Sequence, residues 1–450
     1  MGLARLKTFV LENSPAWLVL ALMRRFVTKS DYQSKRESIT FFQRANVAYG
    51  AKRQSRSARL LRVAFGLLGD DFPKSYARMI IGATNQTQLE ASRRGALSSE
   101  ILDATKSLSI NITDATGWYQ LSRGFFSVGY FRAAWVAREN SIELSIREGE
   151  VSGAGANAVG RAIQAHLERR NFAEVEQLLQ KSADDIKPNS LRDIRDYLDM
   201  MQNKYVMPPL DPVSPDFEAE KLFSELITGK SVALVGPGSP SGHYGDEIDS
   251  ADTVVRIKFV GREHLPPQEF HGHRCDISQY NLSDSLIPLP GPDEISNFTE
   301  GLKLIVFVSS RFEDFLRGKN ILAQFSEAKI FRSTATSGVR SLFQLLQQKS
   351  KYLKVFGFDF YTKIDQYHQE LREFYRIAGL VSGDSLFFNG KMNRYDIAKS
   401  FSAHDPVSNF CFAQNLHKAG MFEIEPFGAS ILALTPYQYV ERLEDMLGDW

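Results

Sequence analysis

Cysteine is almost absent from this chain, with only Cys275 and Cys411 among 450 residues. Secreted and lumenal domains commonly carry disulfide frameworks, and two cysteines can form at most one bridge. Two reduced, buried thiols is the simpler expectation. Long apolar runs are absent as well. Pro15 to Val27 is interrupted by Arg24 and Arg25, falls short of the roughly 20 apolar residues of a spanning helix, and lacks the layout of a signal peptide. These absences lead us to expect a cytoplasmic protein. A charge of one sign is missing too: 54 Lys and Arg face 53 Asp and Glu, for a net of +1. That balance excludes a general affinity for nucleic acid.

The charge that is present is unevenly placed. Residues 1–62 hold 13 Lys or Arg against Glu12, Asp31 and Glu37, a net of +10 by that difference. Residues 1–30 form a basic amphipathic segment with Trp17, Leu18, Leu20, Leu22, Met23 and Phe26. Such a segment fits peripheral contact with the anionic inner face of a membrane. It equally fits a helix that packs on the next domain through the same apolar residues.

Residues 31–206 contain few prolines and scarce strand signals, which predicts an almost wholly helical domain. Trp118-Tyr119-Gln120-Leu121, Gly124, Tyr130-Phe131 and Ala133-Ala134 resemble a tetratricopeptide helix–turn–helix. The stretch from Ala162 through Asn171-Phe172-Ala173 to Leu178-Leu179 repeats the theme. Phe131 and Phe172 are 172 − 131 = 41 residues apart, against about 34 in that repeat. We therefore expect a degenerate helical-repeat domain whose aromatics are core. A proline-rich linker at 207–216 cannot continue a helix.

From 217 to 450 the pattern changes to strand alternating with helix. An amphipathic helix is expected at Phe217 to Ile227, then a strand at Val232 to Val235. Further strands are expected at Thr253 to Ile257, Leu304 to Val308, Ala328 to Phe331, Leu353 to Phe358 and Ser430 to Leu434. Helices are expected near Val339 to Gln348, Gln369 to Ile377, Val407 to Lys418 and Pro436 to Leu447. This alternation implies a largely parallel sheet covered on both faces.

Gly236, Gly238, Gly242 and Gly245 follow the first strand directly. A strand that empties into a glycine-rich turn lets backbone amides approach an anion. A triphosphate-binding loop would end in Gly-Lys-Ser/Thr, and none is present. A dinucleotide fingerprint is also a poor fit, because its third glycine falls one place late, at Gly242.

Val235-Gly236, then Gly242, Tyr244-Gly245, Glu247-Ile248-Asp249-Ser250, Asp252, Val254 and Arg256 resemble the large sialylmotif of the sialyltransferases. Thr336-Ser337-Gly338, an apolar run through Leu346, and Val355-Phe356-Gly357-Phe358 are similar to the small sialylmotif. His404-Asp405, Phe410 and Leu416-His417-Lys418-Ala419-Gly420 look like the very short motif. The three stand in the family's order over about 190 residues, and the resemblance covers the last half of the chain. It departs from the family at Pro237 and Lys258, where the family usually has asparagines, and at Asn409, where it has glutamate. The family's cysteine pair is also missing, its first place being Val232.

The resemblance implies an α/β Rossmann-like transferase domain, a GT-A-like variant, preceded by the all-α helical-repeat domain. It implies transfer of an acidic sugar, sialic acid or Kdo, from its cytidine-monophosphate donor to a glycan hydroxyl, with inversion and without metal or other cofactor. The acceptor would be a glycan, lipid-linked in one version, in bacterial surface polysaccharide synthesis. His404 is the implied catalytic base, with Asp405 or Asn409 as candidates to orient it. Gly236, Gly238, Ser239, Arg256, Lys258, Asn281, Thr336, Ser337, Gly338, Tyr367 and His368 are the candidate donor-binding residues. A solvated histidine at a helix start is the plain alternative for His404. His271, His273 and Cys275 alternate as metal ligands on one strand would, but no partner cluster has ligand spacing. Two other functions fit part of the pattern: a nicotinamide-dependent oxidoreductase, and a non-catalytic nucleotide-binding or scaffold protein.

Overall fold

The computed structural model describes residues 115–128, 131–182, 186, 188–214, 216–239, 241–280, 301–307, 322–325, 329–363, 367–377, 387–388, 391–392 and 404–448. The basic segment 1–30 and Asn281 lie outside the described residues. The chain divides into two compact units. One comprises Met1–His166, Arg394–Asp405 and Tyr437–Trp450, and the other Leu167–Asn393 and Pro406–Pro436. The helices just before the proline-rich linker thus group with the α/β unit.

The first unit is helical where described. Helices α1 (Ala115–Val128) and α2 (Phe131–Glu150) form a hairpin, followed by α3 (Ala156–Glu168), which runs into the second unit. Trp118, Ser122 and Phe126 are buried along α1 at helical spacing. On α2 the buried stripe is Phe131, Ala134, Ala137, Ser141, Ser145 and Gly149. Its small residues permit close approach. Ser141 Oγ donates to Ala115 O at 2.6 Å, and a Cβ at Gly149 would collide with Ala162. Arg138 and Asp405 are both fully buried and meet at 2.9 Å, Nε to Oδ2.

The second unit begins with helices α4 (Phe172–Ser182), α5 (Pro188–Met201) and α6 (Phe217–Ile227). Tyr197 of α5 is buried against Phe331 and Phe412. There follow β1 (Ser231–Val235), α7 (Gly245–Ser250), β2 (Thr253–Ile257), α8 (Gln268–His271), β3 (Ile277–Tyr280), β4 (Leu304–Phe307) and β5 (Leu322–Phe325). A hairpin of β6 (Lys329–Ile330) and β7 (Ser333–Thr334) leads to α9 (Ser337–Gln347), then β8 (Tyr352–Phe356) and α10 (Gln369–Ile377). The chain continues through a second hairpin, β9 (Phe387–Phe388) and β10 (Lys391–Met392), α11 (Pro406–Lys418), β11 (Glu423–Ile424) and α12 (Pro426–Leu432), and then α13 (Pro436–Gly448), which from Tyr437 onward belongs to the first unit. No helix among the described residues is long and apolar enough to cross a membrane.

Seven strands form one parallel sheet in the order β11-β8-β1-β2-β3-β4-β5. Every residue of β2, β3 and β4 is buried, which is how strands read when helices cover both faces. This is the parallel sheet with flanking helices that the strand–helix alternation predicts, and it is compatible with an α/β Rossmann-like domain. From β1 the chain steps outward to β5, then returns to place β8 on the other side of β1. The order therefore reverses between β1 and β8, at the point where open α/β sheets bind ligands.

Three expected elements differ. Ser430 to Leu434 is not a strand but overlaps α12, because Pro426 presets the first helical turn. Ala328 to Phe331 does not join the sheet; its strand residues are the short antiparallel β6. The third difference is β3, a buried strand where none was expected.

Candidate functional site

The glycine turn sits at the β1/β8 reversal, and its glycines serve close approach of backbone to backbone. Gly236 N donates to Phe356 O at 2.8 Å and Gly238 N donates to Gly357 O at 3.2 Å. A Cβ on Gly236 would lie 2.5 Å from Gly357 O and 2.7 Å from Phe358 Cδ2. A Cβ on Gly338 would lie 2.5 Å from Phe358 Cε1. The Phe358 ring is thus gripped by one glycine from each of two motif segments. The expectation that the Gly236 and Gly238 amides cradle a phosphate is corrected: both are spent on backbone carbonyls. Ser239 contributes its carbonyl to Lys363 Nζ at 3.2 Å.

Beside this turn lies a cleft lined by Gly236, Pro237, Arg256, Lys258, His271 and His368, among others, with no acidic side chain among the described residues of its wall. Lys258 ends β2 with φ 63°, and Phe360 and Tyr361 after β8 have φ 49° and 64°. Non-glycine residues seldom adopt this left-handed conformation, and such strain collects at functional sites. Lys258 Nζ donates to Tyr367 OH at 3.1 Å and lies 5.0 Å from that ring's centre. His368 N donates to Pro237 O at 2.8 Å, which ties the Tyr367-His368 pair to the glycine turn.

Arg256 has a structural role that the sequence did not reveal. Its Nε donates to Arg274 O at 2.8 Å, and its Nη2 donates to His271 O at 2.8 Å and Gly272 O at 3.0 Å. Its Nη1 and both ring nitrogens of His271 are buried without a hydrogen-bond partner among the described residues. Orphaned buried polar atoms cost about 1–3 kcal/mol each and are few in native proteins. Burial, with Arg256 and His368 nearby, holds His271 well below the usual histidine range. Burial likewise lowers His368 to about 4, although Glu370 opposes it. Both rings are therefore neutral near pH 7.

The other side of the turn is acidic. Glu425 is buried; its Oε1 accepts from Gly357 N at 2.9 Å and its Oε2 from Ser241 Oγ at 2.5 Å. Asp359 Oδ1 accepts from Tyr361 N at 2.9 Å, whereas Oδ2 is buried without a partner. Burial pushes this carboxyl up to about 7. Glu425 did not stand out in the sequence, and His271 did so only as part of an apparent metal cluster. The signal available was position, since each lies next to a strand or helix end that faces the reversal.

Thr336-Ser337-Gly338 begins α9, so the expected helix-start donors do stand at a helix N-terminus. Thr336 N donates to Asn409 Oδ1 at 2.8 Å, and Asn409 Nδ2 donates to Ser333 Oγ at 3.3 Å. Asn409 therefore fastens α11 to α9. His404, half-buried, and Asp405 belong to the helical unit, where Asp405 is committed to Arg138. His273 and Cys275 do not join His271: His273 Nε2 is 3.2 Å from Pro266 O and Cys275 Sγ bonds Ile277 O. Both cysteines are buried and free, and burial pushes Cys275 up to about 12. No protein-family model matches this chain, and no curated protein matches it.

Proposed function

We propose that the protein is an inverting, metal-independent glycosyltransferase that moves an acidic sugar, sialic acid or Kdo, from its cytidine-monophosphate donor to a glycan hydroxyl. The observation that carries this reading is the β1/β8 reversal, which bears the glycine turn beside a cleft walled by Arg256, Lys258, His271 and His368 and, among the described residues, by no carboxylate. A leaving nucleotide phosphate needs positive potential of that kind. In this reading the α/β unit is a Rossmann-like, GT-A-like donor domain and the preceding helices are a degenerate repeat that presents the acceptor. Lys258, Tyr367 and His368 face the phosphate. Ser337 and Gly338 offer helix-start amides to the sugar carboxylate. His404 takes the acceptor proton, a task that suits an imidazole because its unperturbed pKa near 6.5 is close to working pH. The partners are then the CMP-activated sugar, a glycan acceptor that is lipid-linked in bacterial surface polysaccharide synthesis, and a membrane surface met by residues 1–30. Nucleic acid is not a partner.

Calorimetry with cytidine monophosphate tests the donor claim, with uridine monophosphate and NAD as controls and chelator present. Turnover of CMP-sialic acid or CMP-Kdo that His404→Ala lowers by roughly 100-fold or more supports the base assignment. Full turnover in that variant removes it and leaves the nucleotide claim standing. The occupied amides of Gly236 and Gly238 favour one competing reading, a binding protein without catalysis. Selective cytidine-nucleotide binding with no transfer to any glycan would decide for it.

A further inference from the structure

The cleft beside the glycine turn holds a charge imbalance that the fold alone does not resolve. Arg256 is 2% exposed, and it donates to the three backbone carbonyls of Arg274, His271 and Gly272. No carboxylate among the described residues lies within ion-pair distance of it. Its Nη1 donates to nothing among the described residues. His271, also 2% exposed, meets the same condition twice, since Nδ1 and Nε2 are both buried and unbonded. The His271 and His368 rings approach edge to face, 5.5 Å between centres. A buried guanidinium with no carboxylate in contact is costly; Asp249 opposes its charge only from beyond ion-pair distance, and a bridging water would satisfy its hydrogen without adding a counter-charge.

We propose that this cleft is an oxyanion site in which one oxygen of a phosphate ester or carboxylate lies between Arg256 Nη1 and His271, with Lys258 and His368 at its sides. The enclosed part of the cleft measures about 10 Å³, and a cavity of roughly 10–15 Å³ holds a single water-sized atom. The space therefore suits one oxygen of a ligand whose remainder lies outside. His271 is thereby a ligand-binding residue. The inference rests on the donor-site reading only for which molecule carries the oxyanion.

The electrostatics make binding proton-coupled. The groups facing His271 are Arg256 from β2, His368 before α10, and His273 after α8. Lys258 and His264 share the cleft wall. The nearest carboxylates are engaged elsewhere: Glu370 Oε2 lies 3.2 Å from His368 Nδ1, and Asp249 accepts from the amides of His273 and Arg274. An anion beside His271 raises its proton affinity. The bound state therefore holds more protons than the free state, and affinity rises as pH falls.

The test uses the full chain, with calorimetry at pH 7.5 and 6.0. The probes are inorganic phosphate, cytidine monophosphate, cytidine and acetate. Phosphate and the nucleotide should bind while cytidine does not, with roughly tenfold tighter binding at pH 6.0. Binding by acetate instead would assign the site to a carboxylate. His271→Leu should weaken oxyanion binding about tenfold or more, with His271→Gln intermediate. Because His271→Leu risks misfolding, the wild-type histidine ring resonances provide a second readout. The ring signal missing from His271→Gln must move when phosphate is added. No oxyanion binding at either pH, or a motionless His271 signal, overturns the proposal. Nucleotide binding indifferent to His271 and to pH would sink this inference and spare the donor reading. Oxyanion binding through His271 without sugar transfer would do the reverse.

Discussion

Among the arginines sealed from solvent, Arg138 and Arg256, one from each unit, are treated in opposite ways. Arg138 in the helical unit is fully buried with Asp405 at 2.9 Å, a charge matched by a charge. Arg256 in the α/β unit is tied to backbone carbonyls, retains an unbonded amino group, and lies against a histidine with two unbonded nitrogens. A matched pair resists being broken and asks for nothing further. The unmatched cluster is stable only because the surrounding sheet enforces it.

The largest effect should come from breaking the matched pair. Arg138→Ala strands the Asp405 carboxylate and should cost about 3–5 kcal/mol in urea unfolding, while Arg138→Met with Asp405→Leu should recover most of it. Equal losses in both would erase the contrast between the two arginines.

Acid should expose the unmatched cluster next. His368 has a folded value of about 4 against 6.5 for an ordinary histidine. Between those values the unfolded chain takes the proton first, so stability falls as pH drops through 6.5 toward 4. From pH 6.5 to 4.5 the wild type should lose roughly 2 kcal/mol more than His368→Gln. Parallel pH curves for the two proteins would place the acid sensitivity elsewhere.

The smallest effect concerns Asp359, whose carboxyl is pushed up to about 7 by burial. Its folded value is above its unfolded one, so its contribution is complete at low pH and is lost as pH rises through 7. From pH 6 to pH 8.5 Asp359→Asn should therefore gain about 1 kcal/mol in stability on wild type, with the gain already under way at pH 5. A gain that did not change with pH would mean that shape rather than charge governs the position.

The periodicity made much of the α/β fold legible. The helix at Phe217–Ile227 and the strand ending at Val235 lie where apolar spacing predicts them. β3 was missed because Ser278 and Gln279 are buried polar residues, held by partners such as Phe259 N and Gln344 that a sequence does not display. Asp405 and Asn409 look like aids to a catalytic histidine in one dimension. In three, a partner more than 260 residues earlier claims the first, and the Thr336 amide claims the second. His271 was visible only as part of an apparent metal cluster. Its isolation from any partner depends on how α8 enters β3, which no local pattern encodes.

The pairing of β1 with β8 joins Ser231 to Tyr352 and Val235 to Phe356. Contacts so distant along the chain form slowly, because a long loop must close before they reward it. During synthesis β1, β2 and the glycine turn emerge well before Gly357 and His368, the residues that bond to that turn. The cleft is consequently a late product of folding. A ribosome must deliver most of the chain before the protein has anything to bind with, and the edge of β1 stays open to wrong partners until β8 arrives.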